Sequence, residues 1–251
     1  MSLAQHRSDG KKPRHERKRD FAHTPKCKNL IGIYRTLSLL ETQCGFVLDS
    51  VLDIGANSGI WSKELKIYFP GADFFLIEGS ILHEQSLLAS GLPFHISVVG
   101  DENKDVIFYQ KEGDTGNSIF RQYNWKKSDP SNIVRTKMFT IDSILENRNI
   151  TTKFKFLKID VQGGEVLALK GARNTLESVE VITVEASIMN YNVGGASFLD
   201  LYHTLDSFGF ALYDMFDMMR REGFLVQIDL LFVRKSSSLW LEKCTGIRPA
   251  Q

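Results

Sequence analysis

Cysteine is scarce in this chain: Cys27, Cys44 and Cys244 are the only ones among 251 residues. None belongs to a C-x-x-C pair, which excludes a zinc ribbon or a dithiol motif. An odd, widely spaced set predicts reduced thiols in a reducing compartment. No apolar run approaches the roughly 20 residues that a membrane-spanning helix needs. Residues 1–28 also lack the apolar segment of a secretory signal. Together these absences predict a cytoplasmic protein without a membrane span. Histidines are few, and His83, His95 and His203 are isolated, so no metal site is expected. Positive charge is confined to one end. Residues 1–28 hold nine Lys/Arg and three acids, about +6, and the formal net charge is +1. The remainder therefore carries about −5, which argues against a nucleic-acid partner for it. There is no internal repeat, and the one biased tract is this basic end.

What is present describes an ordinary globular protein, with 43% apolar and 24% charged residues. Residues 1–28 read as a basic disordered tail. Its run from Lys11 to Arg19 is a solvated segment, an import signal or a tether to an anionic surface. Residues 29–251 read as one α/β domain. Leu30 to Leu40 has helical periodicity, and the apolar run Phe46 to Leu52 predicts a first strand. Strands are expected again at Asp73–Glu78, Phe94–Val99, Lys155–Asp160 and Val179–Glu185. Helical patterns lie between them, including Ile81–Ser90 and Glu165–Leu176. That alternation predicts a parallel sheet with right-handed crossovers. Residues 103–140 break it, as an inserted antiparallel excursion near the ligand cleft. Phe198–Phe208 is an amphipathic helix. Phe210–Tyr213 and Asp229–Val233 are too close for a helical crossover and should pair antiparallel.

The stretch from Val51 to Trp61 is a strand, a glycine-bearing turn and a helix start. A dinucleotide site wants G-x-G-x-x-G. Here Gly55 is followed by Ala56, Asn57, Ser58, Gly59 and Ile60, so the turn suits a ligand without a pyrophosphate. Gly55 can take a positive φ or let a ligand approach. Gly59 allows close packing or a second approach, and the helix start offers free N–H groups. Glu78 ends the next strand about 20 residues later, where a carboxylate accepts both hydroxyls of a ribose. A nucleoside without phosphates, held through its ribose, is what S-adenosylmethionine presents.

Several further motifs follow in order: Gly116-Asn117-Ser118, Thr140-Ile141-Asp142-Ser143-Ile144-Leu145, Leu157-Lys158-Ile159-Asp160-Val161-Gln162-Gly163-Gly164-Glu165, Leu169-Lys170-Gly171-Ala172 and Leu231-Phe232-Val233-Arg234. With the glycine turn and Ile77-Glu78, this order resembles the FkbM family of methyltransferases over roughly residues 48–235. The resemblance implies a class I S-adenosylmethionine-dependent methyltransferase with a Rossmann-like, seven-stranded, mostly parallel sheet. The implied strand order is 3-2-1-4-5-7-6, with strand seven antiparallel. Members of the family mostly methylate hydroxyl oxygens of sugars, polyketides and related natural products. Two positions depart from the family pattern. Gly79 follows Glu78 where the family usually has proline. Gln162 stands where Asp-Val-Glu-Gly is common, and an amide cannot act as a carboxylate base.

Methyl transfer to a hydroxyl needs positioning and a base within hydrogen-bond reach. Asp160 and Glu185, at strand ends, are the catalytic candidates. Asp160 is preferred as base because its strand should lie beside strand one. For the cofactor, the candidates are Asp53, Gly55, Asn57, Gly59, Glu78, Asp101 and Ser118. Asp53 orients the methionine amino group or braces the glycine loop. Asn57 meets the methionine carboxylate or serves the turn. Asp101 accepts from the adenine amino group or is a plain turn residue. Ser118 lines the cleft or lies on a surface loop. Lys158 pairs with a carboxylate or reaches solvent. Met215, Phe216, Met218 and Met219 form core or lid packing, or shape an apolar acceptor pocket. The expected acceptor is a small molecule or a glycan. An N- or nucleic-acid methyltransferase, and a catalytically inactive binding module, are the alternative classes. The Asn/Asp-Pro-Pro-Tyr/Phe signature of amino-methylating enzymes is absent after strand four.

Overall fold

The computed structural model describes residues 31–113, 115–123 and 132–240. The basic tail lies outside the described residues. Helix α1 (Ile31–Cys44) leads into β1 (Ser50–Ile54), α2 (Ile60–Tyr68), β2 (Asp73–Glu78), α3 (Glu84–Ser90) and β3 (Phe94–Ile96). Then come β4 (Val98–Val99), β5 (Lys104–Tyr109), β6 (Ile133–Phe139), α4 (Ile141–Asn147) and β7 (Phe156–Ile159). The chain continues through α5 (Glu165–Lys170), α6 (Arg173–Leu176), β8 (Val181–Ser187), α7 (Phe198–Ser207), β9 (Phe210–Arg221) and β10 (Phe224–Arg234).

Seven strands form one sheet in the order β3-β2-β1-β7-β8-β10-β9. The pairs from β3 to β8 are parallel, and β10 is antiparallel to both β8 and β9. This is the expected 3-2-1-4-5-7-6 order. Every residue of β1 is buried, as both faces of a central parallel strand must be. Alternate side chains feed two cores. Leu52, Ile54, Leu157, Ile159, Ile182 and Phe232 pack beneath α4, α5 and α7. Val51, Phe74, Leu76, Phe156, Val181 and Leu231 pack with α1 and α2 on the other face.

The structure moves several expected boundaries. The first strand begins at Ser50, where pairing to β2 starts. Phe46 and Leu48 are buried in the lead-in segment before it. The expected third strand divides at Ser97: Phe94–Ile96 stays beside β2, while Val98–Val99 joins β6 and β5 in a second, three-stranded sheet. The expected helix Glu165–Leu176 breaks at Gly171. A Cβ there would lie 1.9 Å from the Gly100 carbonyl oxygen, so the segment turns where two backbones touch. The closing hairpin is much longer than its apolar core suggested, and β8 runs two residues past Glu185. Met215, Phe216, Met218 and Met219 are therefore strand residues. The expectation of three reduced thiols is corrected at Cys44, which is disulfide-bonded. No helix among the described residues is long and apolar enough to cross a membrane.

Candidate active site

The glycine turn sits at the carboxyl end of β1, clamped between its two neighbours. Gly55 N–H and Ala56 N–H donate to the Ile77 carbonyl at 2.8 and 3.2 Å. Gly55 has φ +75°, and a Cβ on it would stand 1.8 Å from the Asp160 carbonyl oxygen. Glycine is thus required by the approach of β1 to the end of β7. Asn57 takes φ +52°, a conformation asparagine tolerates better than most residues. Its side-chain oxygen accepts from Ser58 N–H at 2.7 Å. Glu78 holds the turn from the adjacent strand: it accepts from Asn57 N–H at 2.7 Å and from Ser80 N–H at 2.8 Å. Burial pushes the Glu78 carboxyl above the ordinary range, and these two donors oppose that shift.

A cavity of about 400 Å³ opens in front of this turn. Gly55, Asn57, Glu78, Ser118, Asp160 and Glu185 all line it, so six of the expected residues converge. Val98, Val99, Phe108 and Ile119 supply an apolar wall, the last two from the insertion. Asp53, Gly59 and Asp101 do not line it. Asp53 is fully buried beneath the turn, accepting from Ser62 Oγ at 2.6 Å and facing Lys158 Nζ at 3.1 Å. It braces α2 against β7. Gly59, at φ +75°, faces Leu87, Leu76 and Ser90, so it serves packing between α2 and α3. Asp101 follows β4, which has left the main sheet, and Ser97 occupies the cleft position after β3.

Ser118 is buried and not on an open surface loop. Its hydroxyl donates to the Gln162 carbonyl at 2.8 Å, and Asn192 Nδ2 donates to the same oxygen at 2.6 Å. Gln162 itself takes φ +54°. Its side-chain amide donates to Asp160 Oδ1 at 2.7 Å and to Glu185 Oε1 at 3.0 Å, while its oxygen accepts from the Tyr191 hydroxyl at 2.6 Å. Gln227 Nε2 also donates to Glu185 Oε1. The amide thus ties the two candidate carboxylates together, a task a third carboxylate could not perform while ionised. Sequence reasoning singled out Gln162 only as a departure. Tyr191, Asn192 and Gln227 carried no signal, since their roles arise from β8, β10 and the following loop meeting in space.

Burial lifts the Glu185 carboxyl well above its usual range, and the neighbouring Asp160, Asp229 and Glu165 carboxylates add to this. Burial likewise pushes Asp229 up to about 7, helped by Asp160. Glu165 is raised to about 7 by burial, although it accepts from Val161 N–H and Gly163 N–H at 3.1 and 3.0 Å. Burial opposes the charge on Lys158, and the carboxylates of Asp53 and Asp160 outweigh it, holding its pKa above the ordinary lysine value. Lys158 lies 3.7 Å from Asp160 Oδ2. Far from reaching solvent, it is buried among these acids. A second cavity, about 460 Å³, adjoins the first and shares Trp61, Lys158, Asp160 and Glu185 with it. Its far side is built by Phe216, Asp217 and Met219 of β9 and by Asp229 of β10. Among the described residues no group of His, Cys, Asp and Glu is arranged to hold a metal ion.

A seven-stranded sheet in this order, with a glycine turn after β1 and an acid ending β2, is the Rossmann-like fold of class I methyltransferases. A family model described as the methyltransferase FkbM domain matches residues 53–226. The chain belongs to that family. No curated protein matches the sequence. Among solved structures, the fold is similar to a plantazolicin methyltransferase, BamL, in complex with a triazolic desmethylPZN analog and SAH. There the identity is 10%, with 81% of this chain and 84% of that one covered and a TM-score of 0.50. It is also similar to an S-adenosylmethionine-dependent methyltransferase from Clostridium acetobutylicum, at 11% identity, 80% and 89% coverage and a TM-score of 0.44. A precorrin-6y C5,15-methyltransferase from Geobacter metallireducens gives 14% identity, 80% and 85% coverage and a TM-score of 0.43.

Proposed function

We propose that the first cavity holds S-adenosylmethionine, that the second holds the acceptor, and that the methyl group passes to a hydroxyl oxygen of a sugar, glycan or other small molecule. The observation that carries this reading is the junction of the two cavities at Asp160. The first cavity has the size of a small-molecule site. Glu78 faces it with a carboxylate suited to ribose hydroxyls. Helix α2 starts without a side-chain cap, so its first N–H groups suit a ligand carboxylate. The apolar wall around Phe108 suits an adenine ring. Bound S-adenosylmethionine supplies an already activated methyl group.

The protein's own part is positioning and deprotonation. Asp160 lies directly after β7, the strand paired with β1, and one carboxylate oxygen is oriented by the Gln162 amide. Lys158 Nζ lies 3.7 Å from the other oxygen. Glu185, within β8 and raised by burial, keeps its proton more readily. It is suited to holding the acceptor. Asp160 thus acts as base and Glu185 as the orienting partner. Gln162, on which the inactive-module alternative rested, donates to both carboxylates, which supports an orienting role for it. The cytoplasmic placement rested in part on reduced thiols and loses that one ground at Cys44.

Calorimetric titration with S-adenosylhomocysteine and with NAD tests the reading. The former is expected to bind, and the latter poorly. Glu78→Ala should weaken S-adenosylhomocysteine binding by about 1–3 kcal/mol. No heat from S-adenosylhomocysteine in folded protein would overturn the cofactor assignment.

A further inference from the structure

The second cavity has walls that say more about the acceptor than the hydroxyl to be methylated. Asp229 and Glu185 are direct cross-strand partners in the β10–β8 register. Like charges in that relation destabilise a sheet. Among the described residues the Asp229 side chain makes no hydrogen bond or ion pair, while its backbone lies in the β10 ladder. Asp160 and, at the mouth, Asp217 face the same space. The single cationic side chain among the lining residues is Lys158, and its ammonium is held by Asp53 at 3.1 Å. The Gln227 amide is turned to Glu185 and the Tyr191 hydroxyl. Among the described residues the acidic side chains thus outnumber the one cation, and the Asp229 side chain faces the cavity without a hydrogen-bonded or ion-paired partner. Burial raises both Asp229 and Glu185, and it outweighs the opposing pull of Lys158 on each. Two aromatic side chains, Trp61 and Phe216, complete the wall. An ammonium group is attracted both to carboxylates and to aromatic faces.

We propose that this cavity selects an acceptor bearing a protonated amine beside its hydroxyls and rejects acceptors bearing phosphate or carboxylate, with Asp229 as the specificity-determining residue. The proposal rests on the assignment of the first cavity to S-adenosylmethionine. A cavity of about 460 Å³ accommodates a ligand of sugar size. An ammonium placed near Asp229 and Glu185 relieves their repulsion, whereas a phosphate adds to it.

The test uses the full chain saturated with S-adenosylhomocysteine and ligand-observed NMR with three matched probes: D-glucosamine, D-glucose and D-glucose 6-phosphate. Glucosamine is expected to bind about tenfold or more tighter than glucose, the worth of one charge-assisted hydrogen bond. Glucose 6-phosphate should not bind. Asp229→Asn, nearly isosteric and replacing a side chain without partners, should bring glucosamine and glucose to similar affinity. Equal binding of the two sugars by the unmodified protein, binding of the phosphate as tight as that of the amine, or an amine preference that survives Asp229→Asn would each overturn the proposal. Silence from all three probes counts against it equally. Failure of S-adenosylhomocysteine to titrate overturns the cofactor reading beneath it, and is seen before any sugar is added.

Discussion

At the residue scale the candidate site turns on how one amide manages two acids. Asp160 and Glu185 would repel each other if both were ionised, yet they sit side by side. Gln162 donates one N–H to each, and Tyr191 fixes the amide by donating to its oxygen. A glutamate at this position would have to carry a proton to make even one such bond. This division of roles makes Asp160→Asn the informative substitution. Once an acceptor is in hand, turnover should fall by roughly 10²–10⁴, the usual worth of a general base. Affinity for S-adenosylhomocysteine should stay within a few-fold. A collapse of cofactor affinity would place Asp160 in the cofactor site, and undiminished turnover would remove it as base. Asp53 and Lys158 form a buried ion pair beneath the turn. Lys158→Met would leave Asp53 buried without its ion-pair partner. That should cost about 3–5 kcal/mol in chemical denaturation.

At the scale of elements, the cleft exists because backbones approach one another at glycines. Gly55 brings the end of β1 against the end of β7, and Gly171 lets the α5–α6 corner rest on Gly100. Gly55→Ala adds a Cβ into the Asp160 carbonyl and imposes a side chain at φ +75°. The αL penalty and the overpacking together should cost about 2–5 kcal/mol. Because the carbonyl displaced belongs to Asp160, cofactor affinity and turnover should fall along with stability. Urea denaturation and titration on the same sample check this. A variant as stable as the parent would show that β1 and β7 do not need this contact. The long β9–β10 hairpin is the other decisive element. It carries Phe216, Asp217, Met219 and Asp229 to the second cavity, far from the glycine turn in sequence.

At the scale of the whole molecule, the acids gathered at the sheet's carboxyl edge make stability depend on pH. Glu165 and Asp229 have folded pKa values raised to about 7 from 4.5 and 3.8, and Glu78 and Glu185 are also raised. Between those limits the folded state binds more protons than the unfolded chain, so stability falls as pH rises. Glu165 alone should cost up to ~3 kcal/mol at pH 8 relative to pH 5. His83 and His95 are lowered by burial and act in the opposite sense, removing stability as pH falls below about 6.5. The acids outnumber them and are more deeply buried. The melting temperature without ligand is therefore expected to be highest near pH 5–6 and to decline toward pH 8. Glu165→Gln keeps an oxygen for the Val161 and Gly163 N–H groups and loses the ionisable group. It should flatten that decline. A melting temperature that rises from pH 6 to 8 would contradict the assignment.

The sequence by itself determined the sheet and one half of the site. Apolar runs alternating with helical faces encode parallel strands, and an antiparallel ending follows from a connection too short to cross over. Gly55, Asn57 and Glu78 were legible because a strand-to-helix turn and the acid of the next strand form a local code, with fixed spacing and chemistry. That Asp101 and Gly59 would not line the cavity was hidden for a related reason. Nothing in the run Phe94–Val99 marks the switch of sheet at Ser97, and nothing local says which way a glycine's open side faces. The tertiary structure alone decided the other half. It set Asp229 opposite Glu185, wrapped Ser118 and Asn192 around Gln162, and buried Lys158 between Asp53 and Asp160. These contacts join residues tens of positions apart, and their energies come from burial and mutual charge. Neither exists until the sheet closes around them.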